Sequence, residues 1–188
     1  LAARVDWRIE EFLPRKLDAA QLRRFLGAPV WRHDPEASTA ALCEPVWDLL
    51  DRKGKRWRPV FGILLLEALG VPSEPYDMLL CLTAELMHTG SLIVDDIEDD
   101  SDLRRGAPCI HRRYGLAAAI NSANTLYFLP FLHLFEHPTL SEAKRYRICE
   151  VIIRQCVRAH FGQGLDILWS QHLSAADLDQ RPADDLAA

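Results

Sequence analysis

Apolar residues recur at three- and four-residue intervals along most of the chain. Leu42, Val46, Leu49 and Leu50 form one set, Leu79, Leu82, Leu86, Ile93 and Ile97 a second, and Ile148, Ile152, Cys156 and Val157 a third. That spacing puts a stripe on one face of an α-helix, and no alternating run of the kind a half-buried strand needs competes with it. Proline and glycine fall between the sets, at Pro14, Gly27-Ala28-Pro29, Gly54, Gly70-Val71-Pro72, Gly106-Ala107-Pro108 and Pro138. They read as short connections, and short connections between helices imply packed antiparallel neighbours. The pattern predicts an all-α chain, an antiparallel helical bundle. Residues 1–173 read as one helical domain. Residues 174–188, which hold Pro182 and Asp184-Asp185, read as a tail or the start of a further part.

One stretch needs a separate test, because Gly115 to Phe135 carries no formal charge. Asn121, Ser122, Asn124, Thr125, Pro130 and His133 interrupt it, and each would need a partner in hydrocarbon. A buried core helix is expected there, and no transmembrane segment.

Composition adds limits. With 188 residues, 49% hydrophobic and 26% charged, the chain can build one core and does not read as disordered. A net charge of −5 argues against nucleic acid or an anionic membrane surface as the main partner. The cysteines Cys43, Cys81, Cys109, Cys149 and Cys156 are odd in number and lack a C-x-x-C pair, which argues against a disulfide framework or a zinc site. Arg4, Asp6, Arg8, Glu10 and Glu11 follow Leu1, where no secretory apolar region would tolerate them. A reducing, cytoplasmic setting is the expectation.

The chemistry concentrates after the apolar run Leu92-Ile93-Val94, where Asp95, Asp96, Glu98, Asp99, Asp100 and Asp102 crowd together. On a continuing helix Asp95 and Asp99 share a face about 6 Å apart, with Asp96 turned about 100° aside. Two such carboxylates could clasp one cation, and hard oxygen ligands suit Mg²⁺, which keeps waters and shares a phosphate-bearing ligand. The competing reading is a solvated acidic helix end. Positive charge stands on both sides, in Gly54-Lys55-Arg56-Trp57-Arg58-Pro59 and in Leu103-Arg104-Arg105-Gly106. Cations beside a magnesium site point to phosphate, although a solvated turn and simple pairing with the aspartates stay open for the two groups.

The string from His88 to Gly106, with Asp95-Asp96-Ile97-Glu98-Asp99 at its centre, resembles the first aspartate-rich region of the trans-prenyl diphosphate synthases, most of all the geranylgeranyl diphosphate synthase branch. The resemblance extends to Gly54-Lys55-Arg56-x-Arg58-Pro59, Pro108-x-x-His111-x-x-Tyr114-Gly115, Asn121-Ser122-Ala123-Asn124 and Gly162-Gln163-Gly164-Leu165-Asp166. It implies the isoprenoid synthase fold, a helical bundle around a central cavity. The implied reaction is Mg²⁺-dependent head-to-tail condensation of isopentenyl diphosphate with an allylic prenyl diphosphate. Asp95, Asp96 and Asp99 resemble the catalytic aspartates, with Asp95 and Asp99 on the metal, and Arg104 resembles the arginine on the allylic diphosphate. Lys55, Arg58, His88 and Arg105 resemble the pocket for isopentenyl diphosphate, and Gln163 and Asp166 a pair that shapes the metal side of the cavity.

In the family, bulky residues four and five before the first aspartate stop chain growth, and here those places hold Ser91 and Gly90. The implied product exceeds fifteen carbons, most simply twenty, with Met87, Thr83 or a neighbouring helix closing the tunnel deeper and Gly90→Phe expected to shorten it. The resemblance also implies a homodimer and leaves peripheral membrane contact open. It departs from the family in lacking the Lys-Thr pair and second aspartate cluster, which Asp184-Asp185 does not replace. A fragment, a short inactive paralogue and a subunit completed by a partner are all consistent with that. The alternative function is a non-catalytic or regulatory subunit of a heteromeric synthase. A terpene cyclase is disfavoured because it has no second diphosphate for Lys55, Arg58 and Arg105 to hold.

Overall fold

The computed structural model describes residues 1–52 and 54–172. Contacts divide the chain into two compact units, Leu1–Thr139 and Leu140–Ala188. The tail expected from residue 174 lies outside the described residues.

The first unit is helical. It contains α1 (Ala2–Phe12), α2 (Ala19–Leu26), α3 (35–51), α4 (Trp57–Ala68), α5 (Glu74–Glu98), α6 (Ile110–Tyr114) and α7 (Leu116–Phe135). Local chemistry sets the helix ends. Asp18 and Gln21 form a reciprocal capping box that satisfies two free N–H groups at the start of α2. Asp34 accepts from the Ala37 amide ahead of Pro35, whose missing N–H costs nothing in a first turn. Apolar faces then meet in one core of Val5, Ile9 and Phe12 from α1, Val46 and Leu50 from α3, Ile63 from α4, Leu82 and Leu86 from α5, and Leu126 from α7. A smaller cluster joins Leu49, Ile93, Ile110, Ala119 and Ala123.

Two helices carry a wider π turn, Thr39–Cys43 in α3 and Leu82–Leu86 in α5. At the second, the Thr83 hydroxyl donates to the Leu79 carbonyl at 2.7 Å, supplying a partner where the regular ladder is interrupted. A short hairpin also stands where only a connection was expected. Leu103–Arg104 (β1) pairs antiparallel with Ala107–Pro108 (β2), with Arg104 opposite Ala107.

The uncharged stretch tested as a membrane span forms α7, which buries Ala119, Ser122, Ala123, Leu126, Leu129, Pro130 and Leu134. Among the described residues the helix long and apolar enough to cross a membrane is α5, and 56% of its apolar window is buried within the fold. The second unit holds α8 (Glu142–His172), whose start Ser141 accepts from the Lys144 amide at 3.4 Å.

Candidate diphosphate-binding site

The C-terminal half of α5 carries the aspartates. It packs on α7 closely enough that a Cβ on Gly90 would lie 2.8 Å from the Ala123 carbonyl oxygen and 3.2 Å from the Leu126 Cβ. Gly90 is thus a contact between helices, where a phenylalanine would strike the backbone of α7. Ser91, one turn before Asp95, is half-buried and donates to the His88 carbonyl at 2.8 Å, and Met87, one turn further back, is 9% exposed.

At the end of α5 the Asp99 amide still donates to the Asp95 carbonyl at 2.9 Å, so the two residues keep helical spacing. Asp95 is half-buried and Asp99 exposed, both with reach to solvent. Asp96 is different, at 1% exposure. Its Oδ1 accepts from Arg104 Nε at 2.7 Å, while Asp95 Oδ2 accepts from Arg104 Nη2 at 2.9 Å. As placed, Asp96 anchors Arg104 and does not face an outside ligand. Hydrogen bonding to Asp96 holds the Arg104 guanidinium above its ordinary value, against burial. Burial and the Asp96 charge push the neighbouring Cys109 thiol up to about 11, which keeps it protonated and unreactive. Arg112 takes two further acids, Asp100 and Asp102. The acidic run is thereby divided, with Glu98 and Asp99 making no ion pair among the described residues.

Arg104 and Arg105 are presented by the hairpin. Its turn residues, Arg105 and Gly106, have φ of 53° and 79°, as a two-residue hairpin of the I′ kind requires. The left-handed region costs an L-residue such as Arg105 about 1–2 kcal/mol. Arg56 and Asp100, with φ of 50° each, share that feature, so the strained non-glycine residues described all flank the site.

Lys55, Arg58, His88 and Arg105 line one cavity of about 360 Å³. Its wall includes Arg52, Arg56 and Glu85, none of which the sequence marked for a role. Arg56, 6% exposed, donates to Asp6 at 2.7 Å, to Glu85 Oε1 at 2.7 Å and to the Leu50 carbonyl at 2.6 Å. Burial works against its charge, and Asp6 and Glu85 more than offset that, so its proton is held more tightly than usual. Gly54 makes room for two guanidinium groups: a Cβ there would lie 2.7 Å from Arg56 Nη1 and 2.9 Å from Arg105 Nη1. Desolvation, with Arg56 close by, lowers the affinity of Arg105 for its proton, although an arginine stays charged. Lys55, Arg58 and Arg105 form no ion pair with a carboxylate among the described residues; Arg58 lies over the Trp57 ring at 4.7 Å. Burial, together with Arg58, Arg105 and Arg104, pushes His88 down to about 4. At neutral pH it is an uncharged imidazole with one N–H to donate. The carboxylate on the wall, Glu85, is taken by Arg56, which leaves the cavity with an excess of positive charge, a combination that favours a compact polyanion.

Gln163 and Asp166 stand three residues apart on α8, Gln163 half-buried and Asp166 exposed. The signal for the wall residues was weak in sequence. Arg56 sits inside the Gly54–Pro59 run, but Glu85 is 29 residues away and Asp6 is 50, and nothing local announces those pairs.

Comparison with known proteins gives the family and the fold. The chain is 34% identical over 176 residues to a geranylgeranyl pyrophosphate synthase of Hericium erinaceus, covering 82% of this chain and 50% of that protein. It is 38% identical over 132 residues to one of Penicillium canescens, covering 69% and 37%. The chain thus spans half or less of the length of these curated relatives. Among solved structures, the geranylgeranyl pyrophosphate synthetase of the archaeon Geoglobus acetivorans superposes with a TM-score of 0.73 at 28% identity, covering 93% of this chain and 49% of that one. The fold is accordingly the all-α isoprenoid synthase fold. A match to the polyprenyl synthetase family covers residues 39–181, three quarters of the sequence, and the chain belongs to that family.

Proposed function

We propose that this chain supplies the diphosphate-binding part of a prenyltransferase that condenses isopentenyl diphosphate with an allylic prenyl diphosphate. The observation that carries the reading is the cavity of Lys55, Arg58, His88 and Arg105, with an excess of positive charge over its one wall carboxylate, Glu85, and set beside the Asp95–Arg104 end of α5.

Lys55 gives a point charge, Arg58 and Arg105 give planar forks, and neutral His88 gives a directed N–H, so a diphosphate can be held and oriented. Arg104, on the aspartate side, is read as the arginine for the second, allylic diphosphate. Asp95 and Asp99 fit a magnesium ion as a pair of hard, accessible carboxylates, and no set of three metal-binding side chains gathers among the described residues, which leaves coordination for substrate oxygens and water. Mg²⁺ held there would neutralise charge on the departing diphosphate. The allylic C–O bond breaks, the homoallylic double bond attacks the allylic carbon, and the proton then lost goes to the released diphosphate, so no protein nucleophile is needed. The product is read as about twenty carbons or longer, with Ser91 and Met87 on the stripe beneath Asp95. The working form is read as a dimer in the cytoplasm.

The test is calorimetric titration of inorganic diphosphate and isopentenyl diphosphate into the chain, with and without Mg²⁺. Saturable binding of both, weakened at least about tenfold by Lys55→Ala with Arg58→Ala, is expected. Absence of binding for both ligands would sink the reading.

A further inference from the structure

We propose that Arg52 is a positioning residue, one that grips the hairpin and thereby fixes where Arg104 and Arg105 meet a diphosphate. The inference rests on the reading of the cavity given above.

Arg52 lies on the cavity wall, and its side chain is 7% exposed. All three of its nitrogens are committed to protein acceptors. Nε and Nη2 donate to Asp48 Oδ1 at 3.0 and 2.9 Å, and Nη1 donates to the carbonyl of Arg104 at 3.0 Å and to that of Ala107 at 3.4 Å. Arg104 and Ala107 are the register pair that closes the turn. One guanidinium therefore holds both strands at the point where Arg105 and Gly106 leave them. Strands of two residues have too few ladder bonds to hold their own geometry, and the turn contains a left-handed Arg105, so the hairpin needs an outside anchor. Asp48, on α3, is itself fixed by Arg113 from α6, with Nη1 at 3.0 Å from Oδ2. Arg104 is consequently held at both ends, its carbonyl by Arg52 and its guanidinium by Asp95 and Asp96. A lysine could keep the charge beside Asp48 but has no planar fork to span two carbonyls and a carboxylate.

Two readouts separate positioning from plain stability: calorimetric affinity for inorganic diphosphate, and amide hydrogen exchange over residues 103–107 and over α7. Arg52→Met is expected to weaken diphosphate binding by about tenfold or more and to speed exchange in 103–107, leaving α7 protected. Arg52→Lys is expected to recover most of the thermal stability while the affinity stays low and the hairpin still exchanges fast. If Arg52→Met does not fold, Arg52→Lys decides. Affinity within twofold of the parent chain overturns the proposal, and so does weak binding with unchanged hairpin exchange, which would make Arg52 a direct charge on the anion. Failure of the parent chain to bind diphosphate would remove the reading of the cavity, while unchanged exchange in Arg52→Lys would independently remove the anchor.

Discussion

The aspartate end of α5 and the basic cavity beside it are built from similar charged groups, but they treat charge in opposite ways. Arg104 is matched by Asp95 and Asp96 and holds its proton more firmly than usual; Arg105, the next residue, forms no ion pair among the described residues and holds its proton less firmly. A two-residue turn sends the two side chains to different surroundings, so one cation rests against the aspartates and the other opens on the basic cavity. The lesson is that two arginines adjacent in sequence can serve two separate surroundings.

The largest expected effect comes from breaking the wall of the basic cavity. Arg56→Met would leave Glu85, 3% exposed, without its cation and would cost about 3–5 kcal/mol, read by denaturant unfolding. In whatever fraction stays folded, Glu85 would become a partner for Arg105, and diphosphate affinity should fall with it. Next, Arg104→Gln should cost about 1–3 kcal/mol of stability by stranding buried Asp96, yet change affinity for free diphosphate in the basic cavity by less than about threefold. Arg105→Gln should do the reverse: little change in unfolding midpoint, and about tenfold weaker diphosphate. Equal effects of the two substitutions on both readouts would end the distinction. Arg105→Gly sharpens it further, since relief of the left-handed backbone should raise stability by about 1 kcal/mol while binding is lost.

The smallest effect concerns protons. His88 titrates near 4 in the fold and near its ordinary 6.5 when unfolded, so between those values the unfolded chain binds more protons. Its contribution to stability is complete above pH 6.5 and is lost as pH falls toward 4. His133, also lowered to about 4 by burial with His137 nearby, acts over the same window. His88→Gln should flatten part of that slope in unfolding midpoints measured from pH 7 to 4. A bound diphosphate would raise the His88 value, so binding at pH 5 should take up protons, measurable by calorimetry in buffers of different ionisation enthalpy.

How much of this could be read beforehand differs by scale. The helices were legible because Leu82, Leu86 and Ile93, or Val46 and Leu50, repeat the period of a buried face. Asp95 and Asp99 were legible for the same reason, since i and i+4 on a helix need only local geometry. The cations of the cavity were visible as runs. The sorting of Arg104 from Arg105 was not, because it depends on a hairpin whose clue is only the pair Arg105-Gly106 in a chain otherwise patterned as helix. Nor was the anchoring by Arg52, which reaches across 52 residues to the Arg104 carbonyl. Gly90 shows the same division: its place relative to Asp95 is local, whereas the close passage of Ala123 is tertiary. The tryptophans show the same limit, since Trp31 and Trp57 stand 92% and 56% exposed while Trp47 is buried and donates to the Leu13 carbonyl at 3.2 Å.

The π turn at Leu82–Leu86 has an evolutionary side. Such a turn is a helix carrying one residue more than its ladder needs. Removing a residue elsewhere between Met78 and Asp95 would rotate the aspartates by about 100° against the packed N-terminal half of α5 and take them away from the cavity. Removing one within the turn would return the helix to regular α geometry and leave both halves in phase. Relatives that differ from this chain by a single-residue gap in α5 should therefore place that gap at 82–86, and the segment is the point at which the helix can change length without moving its carboxylates.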